Sequence, residues 1–516
     1  MKNCLSILTI ALLLVSCGED KKPPVDPTVY GNTITSEELK DMLFTYASDE
    51  FEGRETGEPG QKKAVNYLKD QYKAMDIASP LSEDDYFQEV PLERQQVPNV
   101  EFSINGKKAA MFDDFISLGA VDTKTYTEDQ IVYAGYGIHT SSYSDYKDLD
   151  VKGKFVLIKA GEPRNADSTF VTTGTKEDTK WSKGRSGRSA KKTAAEELGA
   201  KGVFIVDNAA YEYYRKIYKN YKDTNWPGRI SLINKNGNML YFLVNESLAK
   251  TLVSDIETNA TPKVIDAKID VSVEKNATEV KSENVVAFIE GSEKPEEFLV
   301  ISSHLDHIGF TKDGQINNGA DDDGSGTVAL LEIAEAFKTA VKDGHGPKRS
   351  ILFLHVTGEE KGLLGSKHYA DNDPVFPLEN TVANLNIDMI GRVDPKREGD
   401  RNYIYIIGSD RLSTDLHNIS EAMNSKYANI ALDYTYNDEN DPNRYYNRSD
   451  HYNFAKHNIP IIFYFNGTHD DYHKPGDTPD KIEYDLLENR TRLVFYTAWE
   501  VANRDNRPVV DKADVK

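Results

Sequence analysis

At 516 residues the chain is too long for one ordinary hydrophobic core, so two or three domains are expected. Hydrophobic residues make up 39% and aromatics 10%, enough to bury real cores. The formal net charge of −22 argues against nucleic acid as a partner and against an electrostatic grip on anionic lipid.

In chain order, the leader comes first. Lys2 precedes an apolar run from Leu5 to Val15 that is too short to span a bilayer as a stable helix. It ends in Leu14-Val-Ser-Cys17 followed by Gly18, which resembles a bacterial lipoprotein signal, against the alternative of a plain secretory leader. The resemblance implies that residues 1–17 are signal and that Cys17 carries lipid. It also implies a lipid-anchored protein of the bacterial cell envelope, at the outer membrane, touching the membrane through its anchor only. Cys4 falls in the removed part, so the mature chain has no disulfide, thiolate metal site or cysteine nucleophile. Any metal must be held by His, Asp and Glu. Residues 18–34, opening with charges and prolines, read as a tether.

Thr35-Ser-Glu-Glu38 is a capping box that starts a helix through Leu39, Met42, Leu43 and Tyr46. A glycine-rich turn follows, then an amphipathic helix over about 61–75. These helices have no strands of their own and must pack on something later in the chain. From 99 to 280 the texture changes. Strands are expected at 131–137, 154–159 and 202–207, with a helix over 189–199 and a polar loop over 161–188. The pattern YAGYGI, DLDVKGKFVLIKAGEP and GVFIVDN resembles the protease-associated domain, a small β-rich insert, and implies a substrate-gating module without catalytic residues.

Beyond 281, strands at 284–289, 298–302, 350–356, 382–388, 403–408 and 459–465 alternate with helices over 326–340, 363–370 and 412–423. That alternation predicts an α/β/α sandwich on a mainly parallel mixed sheet, built from 35–98 and 281–505, with 506–516 as a frayed tail. In such sheets ligands bind beyond the carboxyl ends of strands. The chemistry-bearing residues gather there: His304, Asp306, His307 and the run Asp321-Asp322-Asp323, then Glu359-Glu360, then Asp388, then Tyr472-His473. Imidazole mixed with carboxylate suits a borderline divalent ion such as zinc. Adjacent carboxylates such as Glu359 and Glu360 repel unless one binds metal while the other handles a proton. His345 and His368 read as surface residues and His355 as a core histidine. His451 is a candidate structural support, and His469 a candidate pocket residue.

The set HLDHIG, NNGADDDGSG, TGEEKGLLGS, NLNIDMIGR and DYHKPGDTPD is similar to the co-catalytic-zinc aminopeptidase family, which takes in secreted bacterial leucine aminopeptidases and, more distantly, glutamate carboxypeptidase and glutaminyl cyclases. The resemblance implies two zinc ions per chain and peptide substrates. It implies His304 and Asp388 on one zinc, Glu360 and His473 on the other, and Asp322 bridging both. Glu359 becomes the general base, Asp306 the group orienting His304, and Tyr472 an oxyanion-stabilising hydroxyl. It also implies a cis peptide between Asp322 and Asp323. Carboxypeptidase, deacylase or cyclase chemistry on the same site remains open, as does an inactive peptide- or glycan-binding lipoprotein. Oligomeric state is not readable from the sequence.

Overall fold

The computed structural model describes residues 25–512 apart from 183, 225 and 235–236, so the leader and Cys17 lie outside the described residues. A nine-stranded mixed sheet forms the frame of the larger domain. Its centre is four parallel strands, in the order Arg349–Val356, Lys294–His304, Thr381–Ile387 and Ile461–Phe465. Both flanks turn antiparallel, Ala277–Ile289 against Arg349–Val356 on one side and Tyr403–Ile407 against Ile461–Phe465 on the other. The central strands are buried on both faces, as their continuous apolar runs require. One face carries helices Ser36–Tyr46, Pro59–Ala74, Gly326–Lys342 and Tyr484–Asn503, and the other carries Leu364–Asp371 and His451–Ala455. This is the expected three-layer α/β/α sandwich, with the antiparallel share confined to the flanks.

The two N-terminal helices find their partners far along the chain. Leu39 and Leu43 pack with Val328 and Leu487, and Leu68 and Tyr72 lie under Phe353. A second, eight-stranded sheet lies between residues 99 and 274, with a core on each face. Stacked rings run through one of these cores, Phe155 on Phe204 and Phe204 on Phe242, each pair at 5.3 Å.

The structure corrects several expectations. Arg229–Leu232, inside the 99–280 segment, crosses back and pairs with Phe87–Gln95 on the edge of the larger sheet. The tether is shorter than 18–34, because Tyr30 stacks on Trp499 at 5.5 Å and Ile34 is fully buried. Residues 507–511 are not frayed. Arg507 donates to the Glu379 and Thr381 carbonyls, and Asp511 accepts from the Thr414 N–H at 2.9 Å. His368 is buried rather than at the surface, and His345 is half-buried with Nδ1 2.7 Å from the Tyr30 hydroxyl. No helix among the described residues is long and apolar enough to cross a membrane.

Candidate active site

The carboxyl ends of the four parallel strands meet at one edge, and each delivers a functional group. His304 is the last residue of its strand and pairs in register with Val356, four residues before Glu360. Asp388 immediately follows Ile387, and His473 lies eight residues past Phe465. Met389 and His473 hold left-handed backbone (φ 59° and 57°), a conformation disfavoured for residues with a side chain and concentrated at functional sites.

The three aspartates part company here. Asp322 alone faces both halves of the site: Oδ1 is 3.2 Å from His304 Nε2, and Oδ2 is 3.1 Å from His473 Nε2 and 3.7 Å from His307 Nδ1. Asp321 accepts from the Gly391 N–H at 2.7 Å and faces His469 at 3.2 Å. Asp323 accepts from the backbone N–H groups of His304, Gly326 and Met389, tying three loops together. The peptide between Asp322 and Asp323 is cis.

Two groups of donors result. His304, Asp322 and Asp388 form one, with His304 Nε2 3.6 Å from Asp388 Oδ1; His307, Asp322 and Glu360 form the other, with His307 Nδ1 2.9 Å from Glu360 Oε1. His473 completes the second, 3.2 Å from Glu360 Oε1. Asp322 Oδ2, Glu360 Oε1 and both nitrogens of His307 are buried without a hydrogen-bond partner. Buried polar atoms are rarely left so, and orphaned oxygens and nitrogens converging on two points fit a pair of divalent ions.

Electrostatics agree. Burial opposes the charge on Asp322 and Glu360, yet the surrounding imidazoles hold both carboxyls low, Glu360 at about 2. Burial also opposes protonation of His304, but Asp322 and Asp388 outweigh it and raise its pKa. Glu359 goes the other way. Burial lifts it well above the carboxylate range, helped by Glu360, Asp388 and Asp450.

The groups behind the site fix its aim. His304 Nδ1–H donates to the Asp306 backbone carbonyl at 3.0 Å, leaving Nε2 as the free lone pair. The Asp306 carboxylate stands 3.9 Å from the same nitrogen and accepts from Thr56 Oγ1 at 2.6 Å and from the Glu359 N–H at 3.1 Å. Ser449 donates to Asp388 Oδ2 at 2.6 Å. Asp477 accepts from the N–H groups of Asp321 and Asp322, joining the loop that carries His473 to the loop that carries Asp322. His469 is buried behind the site against Asp321, not in the cleft wall. His355 is a satisfied core histidine between Tyr72 and Ser303, its pKa lowered to about 3 by burial. His451 stacks on Phe463 and meets the Tyr446 carbonyl, a structural role.

The cleft above these groups is walled by His304, Asp322, Glu359, Asp388 and Tyr472, with Met389, Tyr445, Phe463 and Phe465 as its apolar surface. Tyr472 stacks on His473 at 3.9 Å, and burial, with the site carboxylates, raises its pKa. Wider clefts lie on the second domain and between its Trp181 and Arg444, but among the described residues no metal-capable group sits in them.

Residues 284–498, which carry both donor groups, His473, Glu359 and Tyr472, match the profile described as Peptidase family M28. Among similar proteins, "Aminopeptidase YwaD" of Bacillus subtilis (strain 168) is 22% identical over 538 residues, covering 100% of this chain and 98% of its own. "Probable glutamate carboxypeptidase LAMP1" of Arabidopsis thaliana is 31% identical over 145 residues, 28% of this chain and 20% of its own. A solved "Aminopeptidase from Aneurinibacillus sp. strain AM-1" superposes with a TM-score of 0.46 at 20% identity, covering 94% of this chain and 98% of the other.

Residue-pattern reasoning did not assign Thr56, Ser449, Asp477 or His307. The first three act through hydrogen bonds to groups 61 to 250 residues away, which leave no local periodicity. His307 carried a signal, as a second imidazole in His-x-Asp-His, but the family pattern gives it no role.

Proposed function

We propose that the chain is a zinc-dependent aminopeptidase that removes N-terminal residues from peptides. The observation that carries this reading is the pair of donor groups sharing Asp322 beside Glu359, at the strand ends of a domain that matches Peptidase family M28. The full-length alignment with a protein named an aminopeptidase supports it. His304, Asp388, Glu360 and His473 would hold two zinc ions with Asp322 between them. When bound, zinc lowers the pKa of a water and polarises a carbonyl oxygen.

The chain's own residues do the rest. Asp306, through its backbone carbonyl, keeps His304 Nε2 aimed at the metal position. Glu359, held by its N–H on the Asp306 carboxylate, takes the proton from the attacking water and passes it to the leaving amine. Tyr472, in the cleft wall, is placed to donate to the oxyanion. The carboxylates around the cleft favour a free amine over a blocked N-terminus, which restricts cleavage to chain ends. The apolar wall of Met389, Phe463 and Phe465 suits an apolar side chain.

The second domain is read as a protease-associated module at the mouth of the site. Its Trp181 and Arg185 share a groove with Arg444, which is next in sequence to Tyr445 in the cleft wall. The leader supports lipid attachment at Cys17 and an envelope location, with the anchor as the sole membrane contact.

The test is Glu359→Gln. The variant should bind the full metal complement, and turnover should fall by a factor on the order of 10²–10⁴, as expected for loss of a positioned general base. Turnover near the wild-type rate would remove Glu359 from the mechanism.

A further inference from the structure

The chain has a formal net charge of −22, yet four exposed cations line a path that leads out of the cleft onto the second domain. Arg448 stands in the cleft wall beside Tyr445, its guanidinium 5.1 Å from the centre of that ring. Arg444, on the other side of Tyr445 in sequence, faces a groove that it shares with Lys180 and Arg185 of the second domain, and Glu197 is the one acid in the lining. Among the described residues none of these four cations has an ion pair, whereas Arg188 nearby is taken up by Asp207 at 2.8 Å and Arg411 by the Asn437 carbonyl at 3.0 Å. The groove is built from ordered parts. Trp181 is buried in its wall with Lys180 Nζ 5.0 Å from the ring centre. The helix Gly184–Glu197 enters it with no acid in its first turn, so the helix end adds positive potential. Opposite, the turn carrying Arg444 is pinned by Asp441, whose carboxylate accepts from the N–H groups of Asn443 at 3.0 Å and Tyr445 at 3.1 Å and is thereby taken up by backbone. Arg444 itself holds left-handed backbone (φ 56°), disfavoured for a residue with a side chain.

We propose that this basic strip, Arg448 followed by Arg444, Arg185 and Lys180, holds the departing side of the peptide and selects for acidic residues there. The inference rests on the aminopeptidase reading above. Carboxylates in the cleft attract the free amine of the substrate, and the strip presents the opposite sign farther along the same peptide. A chain with a cationic N-terminus and acidic residues behind it therefore lies in a field of matching sign along its length. Guanidinium groups add directed pairs of hydrogen bonds to each carboxylate they meet. Reach sets which residues are read. From Arg448 back to Arg444 the chain runs through the single turn Tyr445–Asn447, an advance of about 8 Å at about 2.0 Å per residue. An extended peptide covers that distance in two to three residues at about 3.3 Å each. A carboxylate on the second residue of the substrate, just past the bond to be cut, meets Arg448. Carboxylates on the fourth and fifth residues meet Arg444 and Arg185. The preferred substrates are thus acidic peptides of five residues or more.

The test uses the whole metal-loaded chain and hexapeptide amides of sequence Leu-Ala-Ala-X-X-Ala, with X as Glu, Gln or Lys, and reads the release of leucine. The Glu peptide should show a KM at least about fivefold below that of the Gln peptide, the sum of two exposed ion pairs. Its kcat should be nearly the same, because the contact is made alike before and during the reaction. Raising the salt to about 0.5 M should erase the KM difference. Arg185→Glu combined with Arg444→Glu should reverse the order, so that the Lys peptide has the lower KM; this ratio does not depend on how much of the variant folds. Equal KM values for the Glu and Gln peptides in the wild type, a difference that survives high salt, or a variant that keeps the wild-type order would overturn the assignment of the groove. Release of leucine from none of the three peptides would instead overturn the aminopeptidase reading, and this inference with it.

Discussion

Glu332 offers a quantitative test of the packing behind the active-site loop. It lies on the helix Gly326–Lys342, is 3% exposed, and leaves Oε1 without a partner. Burial, with the carboxylates of Glu38, Glu335 and Glu488 nearby, pushes its carboxyl from 4.5 up to about 8. The unfolded chain releases this proton near pH 4.5 and the folded one near pH 8. Between those values the folded state holds a proton that the unfolded state does not, so stability falls as pH rises through the window and levels off above it. At about 1.4 kcal/mol per pH unit the full penalty is about 5 kcal/mol, of which about 3 kcal/mol is present at pH 7. Glu332→Gln is neutral at every pH and nearly isosteric. Its stability advantage in urea unfolding of the metal-loaded protein should be under about 1 kcal/mol at pH 5, about 3 at pH 7 and about 5 at pH 9. A gap that does not change with pH, or a variant weaker than wild type at pH 9, would refute the reasoning.

Two further substitutions probe the supports of the site. Thr56→Val removes the 2.6 Å hydrogen bond to Asp306, a contact to a charged group worth about 1.5–3 kcal/mol. Steady-state kinetics should show kcat falling about tenfold with zinc content unchanged; lost zinc would mean that Thr56 supports the ligands and not the base. Asp477→Asn replaces an acceptor of the Asp321 and Asp322 N–H groups by one that can present its own N–H to them. Zinc affinity, read by competition with a coloured chelator, should drop about 10- to 100-fold, and an unaltered affinity would separate Asp477 from ligand positioning.

Much of the site was legible because chemistry and topology coincide in the sequence. Apolar runs ending in His304, in Thr-Gly-Glu-Glu, in Asp388 and before Tyr472-His473 are buried parallel strands with polar ends, and parallel strands end together. The division of labour among Asp321, Asp322 and Asp323 was less legible, since three identical side chains differ only in the direction the backbone turns them. Arg54 sits in the expected glycine-rich turn, but its task is to donate to the carbonyls of Leu305, Asn318 and Gly319, and carbonyls carry no sequence signature. The helix Tyr484–Asn503 escaped pattern reading for a related reason. Arg490, Thr491 and Thr497 interrupt its apolar stripe, yet all three are buried, with Arg490 donating to the backbone of Ile390, Arg392 and Tyr403. Likewise, Tyr30 and Ile34 follow directly on a charged, proline-rich stretch, and only their burial against Trp499 and its neighbours shows where the tether stops.

The most direct test of the account is metal content measured together with cleavage of paired substrates, free-amine aminoacyl amides and their N-blocked counterparts, before and after chelation. The account predicts two zinc ions per chain, turnover of the free-amine substrates alone, and loss of that turnover on chelation with recovery on readdition of zinc. A single zinc, or turnover of blocked or C-terminal substrates in place of free amines, would contradict it.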